Sequence, residues 1–342
     1  MQAQTGGTGR SADDEVFTEA PTDILTSKTS PPRNGLEKHN TPEWASCSQR
    51  RYRQAFQQRN PGLPSWVHAP PVDTMGTLFI RATIMAKTFL LVHGAWVTTD
   101  SWTGFRDFIE AQGHEVVVPP WPYMEGSVEA LRHSPDSRLS SLTIKDLVDH
   151  FEAHIQSLPR PPILIGHSFG GLIVQMLLDR GLGKAGVAID AGPPRGVLPS
   201  LRAIRSALPV LLAWRGWSRV LSMSFKSFSA TFANTLPLSQ QRETFDRHIV
   251  PAPGRIYFQA ALGIGNAVKF NNPKRAPLLL IAAAKDRTCS PSMVRAMYRK
   301  HSRAPARTDV LEFPHRSHWL IAEPGYKDVA AAILKWAEVN VE

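Results

Sequence analysis

The stretch Gly166-His167-Ser168-Phe169-Gly170-Gly171 constrains this chain more than any other. The apolar run Ile163-Leu164-Ile165 precedes it, and Leu172-Ile173-Val174-Gln175-Met176 follows with helical character. A serine framed by glycines between a strand and a helix sits on a sharp, strained turn. Bulky residues two positions away would strike the strand and the helix, and Gly166 and Gly170 remove that clash. The helix N-terminus sets free N–H groups and the positive end of its dipole beside the hydroxyl. Such a turn suits a nucleophile, and it requires a β–turn–α unit.

The rest of the chain supplies a matching frame from Met85 onward. Short β-branched or Leu-rich runs read as strands over Thr88–Val92, Glu115–Val118, Ile163–Ile165, Ala185–Ile189, Leu278–Ala283 and Thr308–Phe313. Amphipathic segments over Trp102–Ala111, Ile144–Gln156, Gly171–Leu182, Pro291–Lys300 and Tyr326–Val339 read as helices. Strands alternating with helices predict an α/β fold, a mostly parallel sheet flanked by helices on both faces. Between Pro193 and Pro273 the alternation stops and helical patterns dominate, as in Leu201–Leu212 and Leu238–Arg247. This insert, about 193–273, is expected to form a helical lid over the sheet. Residues 1–84 differ: Gly, Ser, Thr, Pro, Asn and Gln abound, and no apolar period persists. They read as a largely disordered extension with one short helix around Ala45–Gln58, its basic cluster Arg50, Arg51 and Arg53 solvated. The domain proper is then 85–342.

A serine hydroxyl attacks only when an imidazole takes its proton and an acid orients that imidazole. The acid is expected after one late strand and the base after the next. Leu278–Ala284 leads into Asp286, and Val310–Phe313 leads to His315 and His318. His318 is favoured over His315 because it stands farther into the loop. Asp190, after Gly186–Ile189, is the rival acid. Upstream, Phe89-Leu90-Leu91-Val92 runs into His93-Gly94-Ala95-Trp96. An oxyanion hole takes one N–H after the nucleophile and one from such an early loop, here Phe169 and Ala95. His93 and Gly94 support that turn, Gly94 permitting close approach of the backbone.

From Met85 to its end the chain resembles the α/β-hydrolase superfamily. The resemblance rests on His93-Gly94, on Gly166 to Gly171, on Asp286 and on Arg316-Ser317-His318-Trp319-Leu320. The early oxyanion strand followed by Trp102 is similar to the branch of plant methylesterases and hydroxynitrile lyases. The resemblance implies that the usual first two strands are missing or replaced by part of 72–84. Lyases of that branch carry a threonine and a lysine where this chain has Gly94 and Trp319, so the departure favours hydrolysis. The resemblance implies a serine hydrolase cleaving a carboxylic ester or lactone through an acyl-enzyme, with the triad Ser168, Asp286 and His318 and no cofactor. The same constellation in related families supports cofactor-free perhydrolase (haloperoxidase-like) chemistry, amide cleavage or dehydration, and the fold also serves non-catalytic receptors. Trp96, Trp102 and Tyr123 are candidate pocket residues.

Composition excludes several other classes. The two cysteines, Cys47 and Cys289, form no disulfide framework or paired zinc spacing, so no metal site is expected and Cys289 is assigned to packing. Gly263-Ile264-Gly265 is a lone GxG without a dinucleotide context. The longest apolar run, Ala276–Ala284, is about half a membrane span, so no membrane partner is expected. A net charge of +10 without a dense basic run points to no nucleic acid. Residues 1–30 lack a secretory pattern, which makes the cytoplasm the expected compartment. From Ala191 to Arg242 there are seven basic residues (Arg195, Arg202, Arg205, Arg215, Arg219, Lys226 and Arg242) and no acidic one. If this segment covers the site, its field would attract anionic substrates; the favoured reading is that these long side chains point to solvent while Leu, Trp and Phe neighbours face the pocket. Oligomeric state is not predicted.

Overall fold

The computed structural model describes residues 86–341. The expectations for residues 1–84, including the helix at Ala45–Gln58, lie outside the described residues. Six parallel strands form the main sheet: β1 (Thr88–Val92), β2 (Glu115–Val117), β3 (Ile163–His167), β4 (Ala185–Ile189), and then, beyond the insert, Leu278–Ala283 and Thr308–Phe313. Two short strands of the insert, β5 (Val220–Leu221) and β6 (Ala252–Pro253), pair antiparallel, so the last two sheet strands are β7 and β8. The order across the sheet is β2-β1-β3-β4-β7-β8. In register, Val92 lies beside Gly166, His167 beside Ile189, and Ala283 beside Phe313. The carboxyl ends of the central strands therefore open along one rim, where open α/β sheets place their ligands.

The near-continuous apolar strands reflect burial on both faces. Leu90, Val92, Leu164, Ala188 and Leu280 join one core, and Phe89, Leu91, Ile165, Val187 and Ile281 the other. Helices α1 (Thr103–Glu110) and, at the end of the chain, Tyr326–Asn340 cover the second face. After α1 come α2 (Val128–His133), α3 (Ile144–Ser157) and α4 (Phe169–Asp179). Thr143 and Asp146 close a capping box at the start of α3, which buries Ile144, Leu147, Val148, Phe151 and Ile155 along one stripe. These five and most of α4 join the first core.

The segment between β4 and β7 is mainly helical, as the sequence predicts: α5 (Leu201–Leu211), α6 (Leu238–His248) and α7 (Gly254–Leu262). A short turn at Phe225–Ser227 continues as a π turn over Phe228–Phe232. The β5–β6 ladder is the element that apolar periodicity does not reveal, since two-residue strands have no period. Helix α8 (Pro291–His301) and then α9 (Tyr326–Asn340) complete the fold. No helix among the described residues is long and apolar enough to cross a membrane.

Candidate active site

Ser168 directly precedes α4 and adopts φ 58° and ψ −120°. A non-glycine residue holds such a backbone only where its surroundings over-determine it. Here its N–H donates to the Ile189 carbonyl at 3.0 Å, and its carbonyl accepts from Gly171 at 3.0 Å and Gly192 at 2.9 Å. The flanking glycines are steric necessities. A Cβ on Gly166 would stand 2.1 Å from the Gly170 carbonyl oxygen, and one on Gly170 would stand 2.1 Å from that of Val92. A Cβ on Gly94 would come within 2.9 Å of the Ser168 Cβ, so the loop after β1 runs directly against the serine. Ala95 is the next residue of that loop and is buried. Phe169 opens α4, where the helix itself has no carbonyl for its N–H.

Asp286 follows β7 and His318 follows β8, and both are buried. His318 Nδ1 lies 2.7 Å from Asp286 Oδ2. The other carboxylate oxygen, Oδ1, accepts from the N–H groups of Thr288 at 2.5 Å and Cys289 at 2.9 Å. The His318 ring stands edge-on to Phe232, centroids 4.6 Å apart, and its carbonyl is 2.7 Å from His167 Nε2. Ser317 donates through its hydroxyl to the buried Glu323 at 2.7 Å, which pins the same loop. His318 Nε2 is buried without a hydrogen bond to any described residue. Cys289 is buried beside Asp286, whose carboxylate its N–H meets. Burial pushes its thiol well above the ordinary range, so it stays protonated. His315 is exposed on the turn after β8 and apart from this cluster.

Asp190, the rival acid, is also here. It is fully buried at φ 42°, with Oδ1 accepting from the Ala283 N–H at 2.7 Å. Its other oxygen, Oδ2, is buried without a hydrogen-bond partner close to the Asp286 carboxylate, and burial together with that neighbouring charge holds Asp190 well above the usual carboxylate range. A neutral Asp190 can donate its proton to Asp286, leaving the charge on the residue that faces His318. Asp190, Asp286 and His318 present donor atoms within 4.8 Å of one another, the one such group found among the described residues. Asp190 Oδ1, both Asp286 oxygens and His318 Nδ1 are engaged with one another or with backbone N–H groups, whereas Asp190 Oδ2 and His318 Nε2 are not.

His93 braces the approach to the serine. Its Nε2 accepts from the Trp121 N–H at 3.1 Å, which leaves the proton on Nδ1 to donate to the Gly94 carbonyl at 2.9 Å. Burial lowers its pKa to about 4, so the ring is neutral.

A cavity of about 150 Å³ opens at Ser168. Trp96 and Tyr257 line it, with ring centroids 5.5 Å apart, together with Val210, Leu221, Met223 and Phe232. Ser206, Ser222, Ser224, Ser227, Thr231 and Thr288 also line it. Spacing gives no sign of these hydroxyls, because they come from separate helices, turns and loops of the insert and from the loop after Asp286. Of the three aromatic residues expected at the pocket, the structure brings only Trp96 there. Trp102 is buried on the opposite face of the sheet, against Phe105 and edge-on to His167. Tyr123 lies under the Arg138 guanidinium, 4.3 Å from its ring centroid. The seven basic residues from Arg195 to Arg242 are all exposed, and none lines the cavity.

The sequence matches the profile of the Alpha/beta hydrolase family over residues 89–332. The chain belongs to the alpha/beta hydrolase family. No curated protein matches it significantly in sequence. Among solved structures, this alpha/beta hydrolase is similar to polyneuridine aldehyde esterase (15% identity, TM-score 0.54, 74% of this chain and 99% of the other). It is similar to a methylesterase from Arabidopsis (17%, 0.55, 74% and 100%). A third is the monoacylglycerol lipase of Paleococcus ferrophilus (19%, 0.55, 73% and 93%). At these identities the likeness is one of fold.

Proposed function

We propose that this alpha/beta hydrolase is a serine hydrolase that cleaves a carboxylic ester or lactone. The observation that carries the reading is the buried His318–Asp286 pair, 2.7 Å apart, on the same rim as a serine held at φ 58° against the N-terminus of α4. In this reading Ser168 Oγ attacks the carbonyl carbon and its proton passes to His318 Nε2. Asp286 accepts from His318 Nδ1–H, which fixes the tautomer and stabilises the imidazolium. The Ala95 and Phe169 N–H groups receive the oxyanion. The tetrahedral adduct collapses, the C–O bond to the alcohol breaks, and the leaving oxygen takes the proton from His318. Water then attacks the acyl-enzyme with the same base and releases the acid. The unpartnered Nε2 is open to receive that proton.

The similarity to structures described as esterases and a lipase supports the ester reading. The segment between β4 and β7 serves as the lid, since it supplies Ser206, Val210, Leu221 and Met223 to the cavity. A small cavity with hydroxyls and no Asp, Glu, Lys, Arg or His in its lining favours a neutral, compact substrate. The test is a fluorophosphonate probe followed by peptide mapping, with a chain-length series of neutral esters. Labelling at Ser168 that vanishes in Ser168→Ala, with loss of ester turnover, is the expected result. Turnover that persists in Ser168→Ala would sink the reading.

A further inference from the structure

Helix α5 has two faces that do different things. Ser206 and Val210 turn inward to the cavity at Ser168. Leu201, Ile204 and Leu208, at helical spacing, turn outward with Leu212 and remain exposed. Leu201 is 85% exposed, Leu212 77% and Trp214 80%. Trp217 follows at 51%, its ring 6.0 Å from that of Phe258 on α7. The end of α7 and the turn after it, with exposed Leu262 and Ile264, are pinned to the start of the same segment by Arg195 N–H donating to the Asn266 carbonyl at 3.0 Å. Scattered exposed leucines are ordinary, but a helical stripe continued by two tryptophans is a surface that water leaves poorly satisfied.

The charges beside it have one sign. Arg202 and Arg205 rise from α5 itself, Arg215 and Arg219 flank the tryptophans, and no acidic residue occurs from Ala191 to Arg242. Leu, Ile and Trp ringed by Arg is the composition of helices that lie in a bilayer interface, where aromatic rings sit at headgroup depth and cations meet anionic lipid. A second copy of this chain fits badly, because a self-complementary contact would set arginine against arginine. Side chains as exposed as Leu201 and Trp214 line no groove, so they suit a deformable lipid surface better than the pocket of a folded partner.

We infer that the outer face of α5 and the following Trp214–Trp217 turn dock on an anionic lipid surface, holding the Ser168 cavity next to the bilayer. No membrane-spanning helix is needed for this. The expectation of no membrane partner rested on the lack of a span, and an interfacial face is a separate matter. The inference does not depend on the hydrolase reading.

The experiment is vesicle flotation with the full chain and, separately, with its Ser168→Ala form, so that loss of catalysis leaves the readout intact. Probes are vesicles of pure phosphatidylcholine and of phosphatidylcholine with a minor share of phosphatidylglycerol. Binding to the anionic vesicles, weakened by salt and at least about tenfold stronger than to the neutral ones, is expected. Two variants separate the contributions: Leu201→Ser with Trp214→Ala, and Arg202→Glu with Arg205→Glu. Each is expected to lose about tenfold or more in anionic-vesicle binding with an unchanged melting temperature. Absence of vesicle binding overturns the inference. So does binding that both variants retain, a dimer dispersed by Leu201→Ser with Trp214→Ala, or capture of the face by polyglutamate but not by lipid.

Discussion

Two carboxyls buried side by side cannot both keep a full charge, and the contact between Asp190 and Asp286 divides the roles. Asp286 has two backbone donors and the imidazole, whereas Asp190 has one backbone donor. The structure therefore favours a neutral Asp190 beside the carboxylate that meets His318. An amide should serve as well as a neutral acid at residue 190, because Asn keeps an acceptor for the Ala283 N–H and a donor for Asp286. Asp190→Asn is expected to keep kcat within the same order of magnitude as the native chain. Asp286→Asn should drop it by a factor on the order of 10⁴, as loss of the orienting acid does in triads. Stability separates the two acids further. A carboxyl whose folded pKa is raised contributes stability that is complete below its unfolded value near 3.8 and is lost as pH rises. Asp190→Asn removes that loss, so its melting temperature should exceed the native one by more at pH 8 than at pH 5. A constant difference across that range would mean that Asp190 is ionised in the folded chain.

At the scale of elements, the turn between β3 and α4 is held by contacts that no side-chain rearrangement can relieve. The predicted Cβ of Gly170→Ala meets backbone, the Val92 carbonyl 2.1 Å away, so strand or helix has to shift. Overpacking of this kind costs about 1–3 kcal/mol, and here it also displaces Ser168. Gly170→Ala should lower both the urea midpoint and activity, whereas Gly181→Ala at a helix end, with open space around it, should cost only backbone strain. Equal stability of the two variants would contradict the steric account. This turn was legible in sequence because glycine spacing and the switch from strand to helix period are local signals. The four central strands were legible for the same reason, each being an apolar run such as Leu278–Ala283, and the two edge strands β2 and β8 were legible from their β-branched residues. The cavity was not. Ser206, Ser224, Thr231 and Thr288 reach it through tertiary placement. Trp102 and Trp96 look alike in sequence, yet the sheet sends one to each face. The mutual burial of Asp190 and Asp286 was equally hidden, since 190 and 286 end neighbouring strands that are far apart in the chain.

Across the whole molecule, several histidines are buried as neutral rings, and this links the fold to pH. Burial lowers His93 to about 4, His248 to about 4 and His301 to about 3 from an ordinary 6.5. His167, fully buried beside His318 and Trp102, is also lowered. Of these rings, His93 makes a contact that only the neutral form can make. His93 Nε2 accepts from Trp121, and His301 Nε2 sits 3.1 Å from Gln175 Oε1, whose amide bonds Gly171 at the start of α4. With folded pKa values below the unfolded one, the unfolded chain binds more protons between them. Stability from these groups is thus complete above about pH 6.5 and is lost as pH falls toward 4. His93 alone, fully buried, accounts for on the order of 3 kcal/mol of that loss. Asp190 and Cys289, raised rather than lowered, act in the opposite sense as pH rises. Urea unfolding at a series of pH values from 8 to 4 should show a plateau near neutrality and a steep fall below pH 6.5. His93→Gln offers an amide oxygen to the Trp121 N–H without a titrating ring, so it should flatten part of that fall even where it lowers the plateau. A stability that stays level from pH 7 to pH 4.5 in the native chain would show that these rings are already charged in the fold, and would undo the tautomer assigned to His93.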